Sequence, residues 1–327
     1  MKSREATRFF VDAPALKSHK KLEKSGVWPG PSGQLGGIIP STMSSLPPEE
    51  SRPDRHGWRA AAAFLGLSLG WFVAVNLLVG AVAAVLVLLD GGDLTAPIIT
   101  ERITRPDVLG IGSAIQGMGL VVCAAGVMKW WRYPLGEGFA LRRAGGSALF
   151  AATLVGGTIG FFAGWVGLEF AELFPRLDDG HLELLRSVLV DGPLLPRIPM
   201  FVAVLVVAPL AEEWVFRGAL WTFIEESFGP KVALVVTSLL FAGYHLDPIH
   251  VVGILPTAFA LGVLRSASRS VWPGVLAHGI NNVLGVLVLF VLEEDAELGL
   301  FTIALAFAIA MIGLIVCVRG SARQQTS

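Results

Sequence analysis

Charge is scarce in this chain. Charged residues make up 16% of its 327 residues, 25 basic and 26 acidic, where a soluble globular chain carries about a quarter. That shortage excludes a water-soluble enzyme. The formal net charge of −1 provides no electrostatic footprint for nucleic acid, and no Gly-x-x-x-x-Gly-Lys-Ser/Thr loop offers a nucleotide phosphate a seat. Cysteine is equally sparse. Cys123 and Cys317 both lie in apolar runs, which excludes a disulfide scaffold or a zinc ribbon and reads as two small buried hydrophobes. There is no His-Glu-x-x-His helix, so the zincin pattern is missing. There is no Gly-x-Ser-x-Gly elbow either, which weakens a serine-hydrolase reading.

What the chain has is apolar length. Hydrophobic residues reach 54%, the mean hydropathy is +0.66, and several runs approach or exceed the roughly 20 residues a helix needs to span a bilayer. Residues 1–55 differ. They are rich in Lys, Arg, Pro, Ser and Gly, read as a disordered N-terminal tail, and have no apolar core that would make them a signal peptide. Met43 precedes the first apolar run and is an alternative start. Residues 56–319 read as the transmembrane domain and 320–327 as a short cytoplasmic tail.

Eight spans are expected: Ala60–Leu89, Val108–Met128, Ser147–Leu168, Pro199–Ile224, Val232–Leu246, Ile249–Leu264, Val271–Leu292 and Leu298–Val318. The fifth and sixth are short and separated only by Asp247 and Pro248, a polar turn suited to reversing a helical hairpin. Basic residues (Arg52, Arg55 and Arg59; Lys129, Arg132, Arg142 and Arg143; Arg265 and Arg269; Arg319 and Arg323) alternate with acidic loops (Asp90, Asp93 and Glu101; Asp178, Asp179 and Glu183; Glu293, Glu294, Asp295 and Glu297). Lys and Arg mark the cytoplasmic side. The expectation is an all-α polytopic membrane bundle of about eight helices with both termini cytoplasmic. Trp130, Trp131 and Tyr133 beside Lys129 and Arg132 form an interfacial anchor. The small-residue ridges Gly156, Gly160 and Gly164, and Gly66 and Gly70, read as packing within the bundle. No internal repeat suggests the duplicated halves of a transporter.

Several residues are costly in such an environment. The fourth span carries Glu212, Glu213 and Arg217, each about 2.5–3.5 kcal/mol unfavourable at a helix centre. Glu213 and Arg217 stand four apart with the acid first, so they share a face and can pair. Glu212 is turned about 100° away and is left to act. The fifth span ends at Phe241 and His245, and the seventh carries His278 and Asn282 one turn apart. At about 1.5 Å per residue, Glu212 lies roughly 18 Å from the cytoplasmic end, His245 roughly 20 Å, His278 roughly 10 Å and Asn282 roughly 16 Å. A shared hydrated site explains three helices with polar centres. His19, His56, His181 and His250 are weaker candidates, with His250 expected at a helix start near the surface.

A carboxylate, two imidazoles and an amide can hydrolyse. Glu serves as general base, His as a second proton carrier, and Asn with His as oxyanion donors. Glu212, His245 and His278 could equally ligate Zn²⁺ with an open position for water, and spacing does not separate the two. A non-catalytic membrane scaffold or immunity protein, or a proton relay, would use the same residues differently.

The motifs Glu212-Glu213-x-x-x-Arg217, Phe241-x-x-x-His245 and His278-x-x-x-Asn282 resemble, in order, those of the CPBP (CAAX protease and bacteriocin-processing, or Abi) intramembrane protease family, over about residues 195–290. The resemblance implies an endopeptidase related to the type II CAAX prenyl proteases. In that reading Glu212 and His245 activate water, His278 and Asn282 stabilise the oxyanion, and Glu213, Arg217 and Phe241 give structural support. It leaves metal dependence open. It also implies a bilayer and a protein or peptide as partners, such as a leader peptide or a membrane-anchored tail, with no nucleic acid or nucleotide. The setting expected is a bacterial inner membrane.

Overall fold

The computed structural model describes residues 56–177, 180–291 and 299–326. The expected tail at 1–55 with Met43, and the acidic residues Asp178, Asp179, Glu293, Glu294, Asp295 and Glu297, lie outside them. Among the described residues there is no strand. The helices are α1 (Gly57–Leu89), α2 (Ala96–Ile103), α3 (Pro106–Trp130), α4 (Leu135–Gly138), α5 (Gly146–Leu173), α6 (His181–Leu189), α7 (Leu194–Phe228), α8 (Pro230–Gly243), α9 (Pro248–Ser268), α10 (Trp272–Val291) and α11 (Leu300–Thr326). The last runs through the residues expected as a short tail.

Seven of these (α1, α3, α5, α7, α9, α10 and α11) are long and apolar enough to cross a membrane. The chain is a polytopic membrane bundle. The fifth expected span is α8, which has 14 residues and rises only about 21 Å against a hydrocarbon core of about 30 Å. Its boundaries follow from local chemistry. Gly229 adopts φ +81°, which favours glycine, and Pro230 takes the first helical position. At the other end Asp247 caps α9, its carboxylate accepting from the His250 N–H at 2.7 Å, with Pro248 as the first residue. A residue before proline is disfavoured from helical geometry, so α8 must close before the pair expected to reverse the chain.

Packing centres on α5, which lies against α9, α10 and α11, while α3 lies against α1 and α7. The α5 glycines differ in what they do. A Cβ at Gly156 would overlap the Ala277 carbonyl and one at Gly160 the Asn281 side chain, whereas Gly164, like Gly66 and Gly70 of α1, faces open space. One apolar core joins Phe64, Leu120, Met128, Phe216, Trp221 and Phe241. A second joins Val155 and Ile159 of α5 to Leu261 and Leu264 of α9. Leu69 and Leu77 of α1 and Val122 of α3 point outward, as lipid tails require. Trp130 is 80% exposed at the end of α3, where an interfacial anchor belongs.

Candidate active site

The helix α7 is not uniformly α-helical. It widens into π geometry at Ala203–Val207 and again at Glu213–Leu220. The first widening has a chemical cause. The Ala208 N–H donates to the Ala203 carbonyl, five residues back. In that register the next donor would serve Val204, but it is Pro209, which has no N–H and whose ring clashes with a carbonyl four residues back. The freed Val204 carbonyl accepts instead from the Asn282 amide of α10 at 2.9 Å. A proline in one helix is thus answered by an asparagine in another.

The second widening begins at Glu213, directly after Glu212, which ends the intervening α-helical turn. Glu213 and Arg217 are wholly buried and pair at 3.0 Å between Oε1 and Nη1. The guanidinium also donates to the Ala258 carbonyl at 2.8 Å and lies 4.2 Å from the centroid of the Phe241 ring. The Arg217 carbonyl accepts from Arg265 Nε at 2.7 Å. A Cβ at Gly274 would overlap Glu213 Oε2, so glycine lets α10 close on the pair. The side-chain pairing read from the four-residue spacing is present.

His278 of α10 stands between the carboxylates. Its Nδ1 is 3.4 Å from Glu213 Oε1 and its Nε2 is 3.9 Å from Glu212 Oε2. The second distance is too long for a direct hydrogen bond. Glu212 Oε2 is buried without a hydrogen-bond partner in the protein, though 14% of its side chain remains exposed. Glu213 is paired with Arg217 and wholly buried, whereas Glu212 is open on one side; one oxygen of each carboxylate lacks a hydrogen-bond partner in the protein.

His245 lies elsewhere than expected. The helix ends at Gly243 with Tyr244 as its cap, and His245 stands in the turn before α9, where Leu246 takes φ +64°. Its Nδ1 is 3.0 Å from the Phe241 carbonyl. A carbonyl only accepts, so Nδ1 carries the proton and Nε2 of the neutral ring is the basic nitrogen. Phe241 joins the two halves of the site, with its ring centroid 5.3 Å from His245 and 5.7 Å from His278.

Two residues near the site were missed from the sequence. His250, discounted as a site residue, sits half-buried at the start of α9 as expected, and its ring lies 4.7 Å from that of His245. The Asp247–Pro248 turn brings them together, a signal visible only once the turn is known to be tight. Gln116 of α3 is 92% buried, and its side chain meets the Tyr244 hydroxyl. Its signal was an isolated primary amide inside an apolar run.

As a zinc ligand set, Glu212, His245 and His278 do not fit: among the described residues no three His, Cys, Asp or Glu are gathered to hold a metal ion.

Neither a curated protein nor a solved structure matches the chain. Residues 194–284, less than a third of it, match the family model described as Type II CAAX prenyl endopeptidase Rce1-like. That segment holds Glu212, Glu213, Arg217, Phe241, His245, His278 and Asn282, and begins where α7 begins. Through this Rce1-like segment the chain is related to the CAAX protease family of intramembrane endopeptidases.

Proposed function

We propose that the protein is an intramembrane endopeptidase that hydrolyses a peptide bond of a membrane-associated protein, with Glu212 as the general base. The observation that carries the reading is the division between the carboxylates. Glu213 is neutralised by Arg217 at 3.0 Å and wholly buried, while Glu212 has no cation beside it, faces His278 across 3.9 Å and keeps 14% of its side chain exposed. A gap too wide for a direct hydrogen bond, and lined by a base and an imidazole, suits a water oxygen in contact with both.

In this mechanism Glu212 takes a proton from the water as its oxygen attacks the substrate carbonyl carbon. His245, through Nε2, shares that proton. The tetrahedral oxyanion is met by His278 and by the second N–H of the Asn282 amide, whose first holds Val204. Collapse breaks the C–N bond, and the proton on Glu212 passes to the leaving amine. No step is routed through a metal. The substrate class is a CAAX-type or otherwise membrane-anchored tail or leader peptide. The setting is a cell membrane, that of a bacterial inner membrane, and the loop charges favour both termini on its cytoplasmic side.

The test compares peptide termini in membranes that lack the protein, carry it, or carry Glu212→Gln. Termini unique to the active form are expected, unchanged by 1,10-phenanthroline. Identical termini from Glu212→Gln at equal yield would overturn the assignment. A Glu212→Gln protein that fails to accumulate would point instead to a non-catalytic scaffold.

A further inference from the structure

Four arginines gather at one end of the bundle. Arg142 and Arg143 lie between α4 and α5, Arg269 between α9 and α10, and Arg319 in the last turns of α11. Hydrogen bonds join the first two segments: the Ser270 hydroxyl donates to the Arg142 carbonyl at 2.7 Å and the Val271 N–H to the Ala140 carbonyl at 3.1 Å. Arg269 closes α9 in the left-handed region at φ +53°, its N–H donating to the Arg265 carbonyl at 2.9 Å. The third segment joins through α5. A Cβ at Gly320 would overlap the Ser147 side chain, so glycine lets the end of α11, with Arg319, close on the start of α5, four residues after Arg143.

All four side chains are exposed, and among the described residues none of them is within ion-pair distance of a carboxylate. Arg142 and Arg269 are also near enough for their charges to act on the buried Arg265, whose nearby carboxylate is Glu225. Like charges held together by bonded loops repel one another, a cost that a bound anion removes. The apolar side chains around them show where that anion would come from. Leu149 and Phe150 in the first turn of α5, and Ile315 and Val318 of α11, are exposed and form lipid-facing surface. The guanidinium groups stand where that surface ends, at headgroup level, and their planar forks match phosphate oxygens. We infer that Arg142, Arg143, Arg269 and Arg319 form a seat for the phosphate headgroup of an anionic phospholipid, whose acyl chains lie along the exposed faces of α5 and α11.

The seat is linked to the active site through the chain. Arg269 follows α9, whose Arg265 donates to the Arg217 carbonyl at 2.7 Å, and precedes α10, which lays Gly274 against Glu213. A lipid that clasps α5, α11 and the α9–α10 turn together stabilises the folded bundle by binding it. Nothing in the inference depends on what the active site cleaves.

The experiment uses the full chain in dodecyl maltoside micelles with equal amounts of dioleoyl phosphatidylglycerol and dioleoyl phosphatidylcholine, which share their acyl chains and differ in net charge. Native mass spectrometry counts the lipids each protein molecule keeps. Preferential retention of one phosphatidylglycerol is expected, with a melting temperature raised by about 5 °C at a hundred times its dissociation constant. Arg142→Gln, Arg143→Gln, Arg269→Gln and Arg319→Gln should each weaken retention about fivefold, and the first three combined about a hundredfold. Arg142→Lys should lose less than Arg142→Gln, because it keeps the charge. Lys129→Gln removes a charge from the end of α3, outside the seat, and should change nothing. Without added lipid all of these proteins should melt alike, since the side chains are exposed.

Equal retention of the two lipids would overturn the inference, as would a triple variant that keeps the preference. A Lys129→Gln loss as large as that of Arg142→Gln would reduce the attraction to a diffuse property of the surface and overturn it too. Displacement of the lipid by millimolar inorganic phosphate would make this a site for a free anion and overturn the lipid assignment. Glutamine variants that melt well below the wild type without lipid would assign the arginines to the fold itself, against the inference.

Discussion

The Glu213–Arg217 pair allows a quantitative test of how the site is held. At 3.0 Å and an effective dielectric constant of about 20, the attraction is about 5.5 kcal/mol. Burial of both groups opposes it with a desolvation penalty of several kcal/mol per ion. The net value of the pair is therefore small, whereas the cost of breaking it is large. Arg217→Met removes the counter-charge and leaves Glu213 isolated, with one carboxylate oxygen already lacking a hydrogen bond. A loss of about 3–5 kcal/mol is expected. Little of it comes from the Ala258 carbonyl, which keeps a second donor in the Ser238 hydroxyl at 3.1 Å. Glu213→Met strands the cation but leaves it the Ala258 carbonyl and the Phe241 face, so its loss should be nearer the lower end of that range. The double variant buries no charge at 213 or 217, and should fall within about 1 kcal/mol of the wild type. The coupling energy, the two single losses less the loss of the double variant, is then about 5–8 kcal/mol. Equilibrium unfolding of the four proteins by SDS in mixed micelles, followed by circular dichroism, measures it. Losses that simply add, with coupling under about 1 kcal/mol, would refute the reasoning and make the pair a minor contact.

The α5 ridge should divide sharply. Gly156→Ala, which meets the Ala277 carbonyl, is expected to lose about 1–3 kcal/mol, while Gly164→Ala in open space should be neutral or gain up to about 1 kcal/mol; equal melting temperatures for the two would contradict the packing described. Asn282→Leu leaves the Val204 carbonyl unpaired and should cost about 1–3 kcal/mol of stability besides any effect on cleavage. A Pro209→Ala change made alongside it should recover part of that loss by returning a backbone donor, and no recovery would count against proline as the origin of the π segment.

The legible parts of this protein were those governed by short-range rules. Apolar run length gave the bundle. The four-residue interval placed Glu213 against Arg217, and the Asp247–Pro248 pair gave the hairpin, because caps and prolines act on their immediate neighbours. The parts that were not legible depend on neighbours distant in sequence. Hydropathy extended the fifth span to Leu246, since Leu246 is apolar, but the cap required by α9 ended it at Gly243 and put His245 in a turn. That turn folds His250 back onto His245, which a linear count placed near the surface. The first π segment arises from a proline, and the carbonyl it frees is satisfied by a residue 78 positions away.

The short helix α8 also bears on how water reaches a reaction inside a bilayer. A helix rising about 21 Å from Pro230 stops roughly 9 Å short of the far edge of a 30 Å hydrocarbon core. The chain there reverses through Tyr244, His245, Leu246 and Asp247 in irregular backbone. Such backbone at membrane depth is tolerated only where protein covers it or a water-filled cavity meets it. The part-exposed Glu212 carboxylate favours the second condition. The truncated span then acts as a well: solvent descends on that side to the carboxylate, while the other helices remain long enough to keep the membrane sealed against ions.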